Sequence, residues 1–114
     1  MISESSLEVS AVAEAQPETT PVSVVYATDY LNKLTGEKIE RECKEQLNQG
    51  CKTLVVNFRN TELVNSIGVS ILLGVIDAAS SAGAKVVFSD LNQNTVELFD
   101  MLGVTKHVEM SEAN

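Results

Sequence analysis

The sequence predicts an α/β domain in which three to four helices pack on one mixed sheet of four to five strands. Two apolar runs, residues 53–58 and 84–89, have the length and the β-branched content of strands. Each follows a segment with the apolar spacing of a helix, and a strand reached through a helix is normally parallel to its predecessor and buried on both faces. At 114 residues the chain is long enough for one hydrophobic core and too short for two.

The first predicted helix lies between two strands. The stretch SVVYATDYL, residues 23–31, is rich in β-branched and aromatic residues and predicts the strand before it. Thr35 is the predicted N-cap, and Gly50 lies just past the predicted end. The inward apolar positions recur at every fourth residue and are Ile39, Cys43 and Leu47. Opposite charges spaced for ion pairs on the outer face are Glu37 with Arg41 and Glu40 with Lys44.

Two further helices are predicted in the second half of the chain. One covers residues 66–82 and ends at Gly83, and the other begins at the N-cap Asn92 and ends at Gly103. The inward side chains of the last helix are predicted to be Val96, Phe99 and Leu102. The sequence that follows, VTKHVEM at residues 104–110, is typical of a last edge strand.

We place the folded domain at residues 22–110, followed by a C-terminal tail at residues 111–114. Residues 1–21 contain four glutamates and no basic residue. Within them, residues 6–13 alternate only loosely between apolar and polar positions. The sequence therefore predicts that residues 1–21 are either an acidic arm or the source of an edge strand.

Charge and composition exclude several classes of partner. The formal net charge of −8 and the absence of Trp argue against nucleic acid and against an anionic membrane. Cys43 and Cys51 fit neither a zinc-site spacing nor a disulfide framework, so we expect no metal and no cofactor. Free thiols are typical of a reducing compartment, and residues 1–12 lack the basic and apolar regions of a signal peptide. We expect a cytoplasmic protein.

The stretch LVNSIGVSILLG, residues 63–74, places Asn65 and Ser66 directly before an apolar run. With Asn65 as the N-cap, the Ser66 hydroxyl lies among backbone N–H groups that have no partner within the helix. A phosphate there would be stabilised by the helix dipole and would change the charge of the surface. Gly68, which lacks a side chain, would let another protein approach the hydroxyl closely. From this stretch alone an ordinary helix start is the simpler interpretation, because Ser, Asn and Gly are common at helix starts.

The second half of the chain resembles a STAS domain, the fold of bacterial anti-sigma-factor antagonists. The features that carry the resemblance are Asn65-Ser66-Ile67-Gly68 at a helix start, Gly83, the strand at residues 85–89, Leu98-Phe99 and Leu102-Gly103. The first half is more faintly similar, with residues 29–35 in the place of a family turn. The likeness covers residues 22–110. The family usually has Asp where this chain has Asn65 and Asn32.

The resemblance implies a protein without catalysis of its own that acts by partner switching. In that family the unphosphorylated antagonist binds an anti-sigma factor that is also a serine kinase. Phosphorylation of the serine at the helix start breaks the complex, and a separate serine phosphatase restores it. Carried onto this sequence, the phosphorylated residue is Ser66. The implied partner-binding residues are Asn32, Glu62, Asn65, Ser66, Ile67, Gly68, Val69 and Ser70.

A second function is compatible with the same fold. STAS-like domains also serve as constitutive adaptor subunits of lipid-transporting ABC complexes or of stress-sensing assemblies, without a phosphorylation cycle. Asn65 and Asn32 favour this alternative, because two carboxylates that could orient the hydroxyl or a kinase's metal are lost. The same change relieves repulsion against a phosphate already in place, so the two effects oppose each other.

Two enzyme-like alternatives fit less well. A serine hydrolase would need His107 beside Ser66, and VNSIG lacks the first glycine of G-x-S-x-G. A response-regulator receiver would need an acceptor aspartate where Asn57 ends a strand, and Asp90 is expected to be a loop or cap residue.

Overall fold

The computed structural model describes residues 21–112, in which one or two strands precede each α-helix. In order, they are β1 (Val22–Tyr26), β2 (Tyr30–Leu31), α1 (Lys33–Asn48), β3 (Thr53–Asn57), β4 (Leu63–Val64), α2 (Ser66–Ser81), β5 (Lys85–Leu91), α3 (Gln93–Met101), a 3-10 turn (Val104–Lys106) and β6 (Glu109–Glu112). Apart from Pro21, the predicted acidic arm or edge strand lies outside the described residues. β6 continues two residues past the domain end predicted at residue 110.

The main sheet has the strand order β1-β3-β5-β6, and every described pair in it is parallel. α1 connects β1 to β3, α2 connects β3 to β5, and α3 connects β5 to β6, as parallel pairing requires. The predicted α/β fold is confirmed. The sheet predicted to be mixed is parallel throughout residues 21–112, with a small second sheet that pairs β2 with β4.

The helices pack on one face of the main sheet. The buried residues of its central strands are Leu54 and Val56 of β3 and Val86, Phe88 and Leu91 of β5. The residues between them, Val55 and Val87, are half-buried, and Val24 beside them in β1 is exposed. Within residues 21–112 the prediction that β3 and β5 are buried on both faces is therefore wrong, because all three crossovers lie on the same side.

Three phenylalanines form the centre of the core where α3 meets the sheet. Phe58 and Phe88 meet edge to face, with ring centroids 5.0 Å apart, and Phe99 of α3 lies 5.7 Å and 5.6 Å from them. All three are almost fully buried, and such aromatic pairs add to the stabilisation from area burial. The last helix is thereby fixed through Phe99, as the sequence predicted.

The predicted strand at residues 23–31 is interrupted. Ala27 still donates to the carbonyl of Asn57 in β3 at 2.9 Å, but the carbonyls that follow turn toward a different segment. Thr28 O accepts from the Thr61 hydroxyl at 2.7 Å, and Asp29 O accepts from the N–H groups of residues 62 and 63. The chain thus leaves the main sheet after Ala27 and forms β2 beside β4.

The N-cap of α1 is Asn32 rather than the predicted Thr35. Asn32 Oδ1 accepts from Thr35 N at 3.0 Å and Thr35 Oγ1 accepts from Asn32 N at 2.9 Å, which is a capping box with threonine in the third helical position. Of the predicted ion pairs, Glu40 with Lys44 is confirmed at 3.3 Å. Glu37 pairs instead with Lys33 at 3.5 Å.

The ends of α2 and α3 are close to the predicted positions. Gly83 and Gly103 follow them with φ of 74° and 81°, values that glycine adopts without strain. Asn92 caps α3 as predicted, through the N–H of Thr95 at 2.8 Å. The prediction that Leu102 points inward is wrong, because it follows the last helical turn and is exposed, and Thr95 is buried in its stead.

The start of α2 is fixed against β2. Asn65 N donates to Leu31 O at 2.9 Å, and Leu31 is fully buried. A Cβ atom built on Gly68 would lie 2.7 Å from Leu31 O and 2.8 Å from Leu31 Cγ, so no side chain fits without displacing β2. The close approach at Gly68 therefore comes from the protein's own β2 strand, and the prediction that it admits another protein is not met there.

We expect Gly68→Ala to lower the free energy of unfolding by about 1–3 kcal/mol, because the Leu31 carbonyl must move away from the added methyl group. Urea unfolding measures this effect. Gly74→Ala in the same helix is the matched control, since the nearest atom to its Cβ would be Glu40 Oε2 at 3.7 Å. It is expected to be neutral or to stabilise by up to about 1 kcal/mol. Equal effects of both substitutions would contradict the assigned role of Gly68.

Burial raises the pKa of the Cys43 thiol to about 12, and Glu42, Cys51 and Glu40 act in the same direction. The folded protein therefore keeps this proton at pH values where the unfolded chain releases it. We expect the free energy of unfolding to fall as pH rises above about 9, by up to about 1.4 kcal/mol per pH unit from this group. Cys43→Ala should lose this component of the slope in urea unfolding at pH 8 to 10.5. An identical slope in the variant would contradict the assignment.

Candidate functional site

Ser66 is the first residue of α2, and its side chain is exposed. Asn65 is the N-cap, as predicted, and its Oδ1 accepts from Gly68 N at 2.8 Å. Among the described residues, no hydrogen bond involves Ser66 Oγ, whereas Ser66 O accepts from the Ser70 hydroxyl at 3.1 Å. The Ser66 hydroxyl can therefore be modified without the loss of a bond that holds the helix.

The structure divides the eight predicted partner-binding residues into three groups. Ser66, Ile67, Ser70 and Glu62 are exposed. Asn32 and Asn65 are half-buried, and both side chains are engaged as helix caps. Gly68 and Val69 are buried, with Val69 only 3% exposed, so they support the site from within. The surface that a partner can reach at this position is formed by the first group.

Four large apolar side chains lie exposed at the same end of the molecule, and we call them the Ser66 patch. They are Tyr30, 41% exposed, Leu34, 77%, Leu63, 63%, and Ile67, 51%. Sequence reasoning identified only Ile67 among them. Tyr30 was assigned to one long strand, and strands of two residues carry no periodic signal from which β2 and β4 could be predicted.

Strand pairing and helix packing place the patch around Ser66. Tyr30 of β2 is in register with Leu63 of β4, three residues before Ser66. The two helices start side by side, because Gly36 of α1 faces Ile71 of α2 so closely that a Cβ at residue 36 would lie 3.0 Å from Ile71 Cδ1. Leu34 and Ile67 belong to the first turns of these adjacent helices. An exposed group of large apolar side chains is typical of an interaction surface.

Amides rather than carboxylates cap all three described helices. Asn32, Asn65 and Asn92 each accept the N–H of the third helical residue, at 3.0, 2.8 and 2.8 Å. None of the three helices has an acidic residue in its first turn. A negative group on Ser66 would therefore meet the positive end of the α2 dipole without a carboxylate in the same turn.

Loops at the carboxyl ends of the strands form a cavity of about 420 Å³, lined by Phe58, Arg59, Thr61, Glu62, Asp90, Leu91 and Asn92. On its wall Asp90 Oδ2 accepts from Asn57 Nδ2 at 2.6 Å. Asp90 was predicted to be a loop or cap residue, but it lies within β5 at the register shift toward β6, with a φ of 58°. The Asp90 carboxylate is thus hydrogen-bonded to Asn57, the residue at the position where a receiver domain would have its phosphate-accepting aspartate.

His107 lies at the opposite end of α2 from Ser66. It lines a surface depression together with Ser80, near the last turn of that helix. At 1.5 Å per residue, about 21 Å of helix separates Ser66 from Ser80. The histidine and the serine of a hydrolase are therefore not brought together in this fold.

The described residues contain neither a membrane-spanning helix nor a cluster of metal-ligating side chains. No helix among residues 21–112 combines the length and the apolar character that crossing a membrane requires. Over the same range, His, Cys, Asp and Glu side chains form no group of three that could hold a metal ion.

Comparison with known proteins connects this geometry to a family. The sequence model of the STAS domain matches residues 12–113, a range that begins inside the segment predicted as an arm or an edge strand. No curated protein sequence matches the chain.

Solved structures share the fold at low sequence identity. The phosphorylated form of the Bacillus cell fate determinant SpoIIAA has a TM-score of 0.65 and 20% identity over 84% of this chain and 86% of its own. The unphosphorylated form of SpoIIAA, an anti-sigma factor antagonist, has a TM-score of 0.66 and 18% identity over 84% of both chains. An anti-sigma factor antagonist from Mycobacterium paratuberculosis has a TM-score of 0.70 and 17% identity, over 81% of this chain and 78% of its own. The STAS domain of a SulP transporter from Vibrio cholerae has a TM-score of 0.70 and 17% identity, over 96% of this chain and 88% of its own. With the family match across most of its length, this chain belongs to the STAS domain family.

Proposed function

We propose that this protein is an anti-sigma-factor antagonist that acts by partner switching. Its unphosphorylated form binds an anti-sigma factor that is also a serine kinase. The kinase transfers the γ-phosphoryl group of ATP to Ser66 Oγ, with release of ADP and of the hydroxyl proton, and the complex then separates. A serine phosphatase hydrolyses the phosphoserine to serine and inorganic phosphate. The cycle is placed in the cytoplasm, and the chain itself supplies no catalysis.

The observation that carries this proposal is the exposed Ser66 hydroxyl next to the Ser66 patch. Tyr30, Leu63 and Ile67 offer apolar area that a partner can bury on docking. A phosphoryl group on Ser66 brings a charge of about −1.5 to −2 to this surface. Burying that charge against a partner costs free energy unless the partner neutralises it, so phosphorylation opposes docking.

The fold is expected to tolerate this modification. The phosphate would lie at the N-terminus of α2, where the helix dipole and the unpaired backbone N–H groups favour negative charge. The anchors of the helix start, Asn65 to Gly68 and Asn65 to Leu31, do not involve the Ser66 side chain. Phosphorylation would thus alter the surface while leaving the core in place.

The fold comparisons agree with this proposal and also with its alternative. SpoIIAA is an antagonist solved in phosphorylated and unphosphorylated forms. The STAS domain of a SulP transporter is as similar to this chain in fold, which favours a constitutive adaptor as the second candidate. Asn65, where the antagonists usually have an acid, points in the same direction.

We expect Ser66→Ala to keep the binding of the anti-sigma factor kinase, and Ser66→Asp and Ser66→Glu to weaken it about 10- to 100-fold. The reason is that a carboxylate placed next to the Ser66 patch must be desolvated when the partner docks. Isothermal titration with the purified kinase measures the affinities. Ser81→Glu, an exposed serine at the other end of α2, is the matched control and should bind like the wild type. Equal affinity of all variants would contradict the phosphorylation switch and would favour the constitutive adaptor.

We further expect the kinase and ATP to add a single phosphate to the wild-type protein, located at Ser66 by mass spectrometry of peptides. Ser66→Ala should remain unmodified under the same conditions, since neighbouring Ser70 has its hydroxyl hydrogen-bonded to Ser66 O. Phosphate found at another residue, or no phosphate on the wild type, would count against the switch.

A further inference from the structure

The side chain of Tyr30 meets the N-cap of the helix that carries Ser66. Asn65 Nδ2 lies 3.5 Å from the Tyr30 hydroxyl oxygen, across the junction between β2 and the start of α2. Tyr30 is 41% exposed, so its hydroxyl is at the surface and not sealed in the core. The contact connects a residue of the Ser66 patch to the residue directly before the candidate phosphorylation site.

The hydrogen-bond network fixes the orientation of the Asn65 amide. Gly68 N donates to one end of the amide at 2.8 Å, and the oxygen is the only acceptor of a side-chain amide, so this end is Oδ1. The opposite end is therefore the NH₂ group, and it faces Tyr30. An amide nitrogen is a donor without acceptor capacity, which means that the Tyr30 oxygen accepts the bond.

This assignment leaves the hydrogen of the Tyr30 hydroxyl available. A phenol that accepts from Asn65 still has its own O–H to donate, and among residues 21–112 no acceptor takes it. Ser66 directly follows Asn65, the residue that Tyr30 contacts. An aspartate at residue 65 would have the opposite effect, because its second carboxylate oxygen would accept the Tyr30 hydrogen and keep it from any other acceptor.

We propose that Tyr30 is a phosphate-contacting residue whose hydroxyl donates to the phosphoryl group on Ser66, and that Asn65 keeps this hydroxyl free to do so. The inference rests on the proposed function in requiring a phosphate on Ser66. It assigns a chemical role to the amide that replaces the family's usual acid. With Asn65 as the cap, the phosphorylated state gains a hydrogen-bond donor and avoids a neighbouring negative charge.

The test does not depend on a kinase or on a partner. Phosphoserine is incorporated at position 66 during synthesis by amber suppression, and the second ionisation of the phosphate, near pH 6, is followed by ³¹P NMR. A hydroxyl that donates to the dianion favours its formation. We expect Tyr30→Phe to raise the titration midpoint by about 0.5 pH unit, because the dianion loses a hydrogen-bond donor that stabilises it. The charged groups around the site, Asp29, Lys33 and Glu62, are identical in both proteins.

Tyr26→Phe is the matched control, because Tyr26 is the only other tyrosine and alternates with buried Val25 onto the sheet face opposite the helices. Its midpoint should equal that of the wild type. In an Asn65→Asp background, Tyr30→Phe should produce no shift, because the hydroxyl is then bound to the carboxylate. Thermal unfolding followed by circular dichroism checks that each variant is folded.

Two results would overturn the inference. An unchanged midpoint in Tyr30→Phe would remove the contact with the phosphate, and an equal shift in the Asn65 and Asn65→Asp backgrounds would remove the role of the amide. Neither result bears on whether a kinase modifies Ser66 or whether a partner is released. Failure of this inference is therefore distinguishable from failure of the proposed function.

Discussion

Leu31 holds the first turn of α2 in two ways. Its carbonyl oxygen accepts the N–H of Asn65, and the same oxygen occupies the space in which a side chain at residue 68 would have to lie. Because Leu31 is itself fully buried, the helix start is tied to the core and not to a mobile loop. The position of the Ser66 hydroxyl, the cap formed by Asn65 and the register of β2 with β4 all depend on this contact. A site held in this way presents the same surface to each partner that approaches it.

The bonds that define the helix start are separate from the atom on which the proposed chemistry occurs. Asn65 satisfies the N–H of Gly68 with its side chain and that of Val69 with its main chain, so the first turn is stable whether or not Ser66 is modified. Leu72 and Val75 then continue the helix into the core. Regulation by a surface charge needs this separation, because a modification that also unfolded the helix would destroy the binding surface when it was meant only to switch it.

Long periodic segments were predictable from the sequence, and features set by long-range contacts were not. The start of α2 after Asn65 and the inward position of Phe99 follow from capping preference and helical spacing. The break between β1 and β2 arises because the chain stops pairing with β3 and forms hydrogen bonds with the segment around Thr61 instead. Strand propensity describes single residues and cannot predict such a change of partner. A threonine hydroxyl can serve either as the N-cap or at the third helical position of a capping box, and Thr35 occupies the second of these positions. The exposed patch beyond Ile67 was missed because it depends on that same unpredicted pair of short strands.

The amide caps have an electrical consequence for the whole molecule. In a parallel sheet with all its crossover helices on one side, the N-termini of the helices lie together at the carboxyl ends of the strands. Each contributes a partial charge of about +0.5, and the first turns contain no carboxylate to cancel it. The helices of the described residues therefore place positive backbone partial charge at the end that contains Ser66, in a chain whose formal net charge is −8. A negative group that a partner brings beside Ser66 therefore meets backbone N–H groups that no carboxylate of the same helical turn has already neutralised.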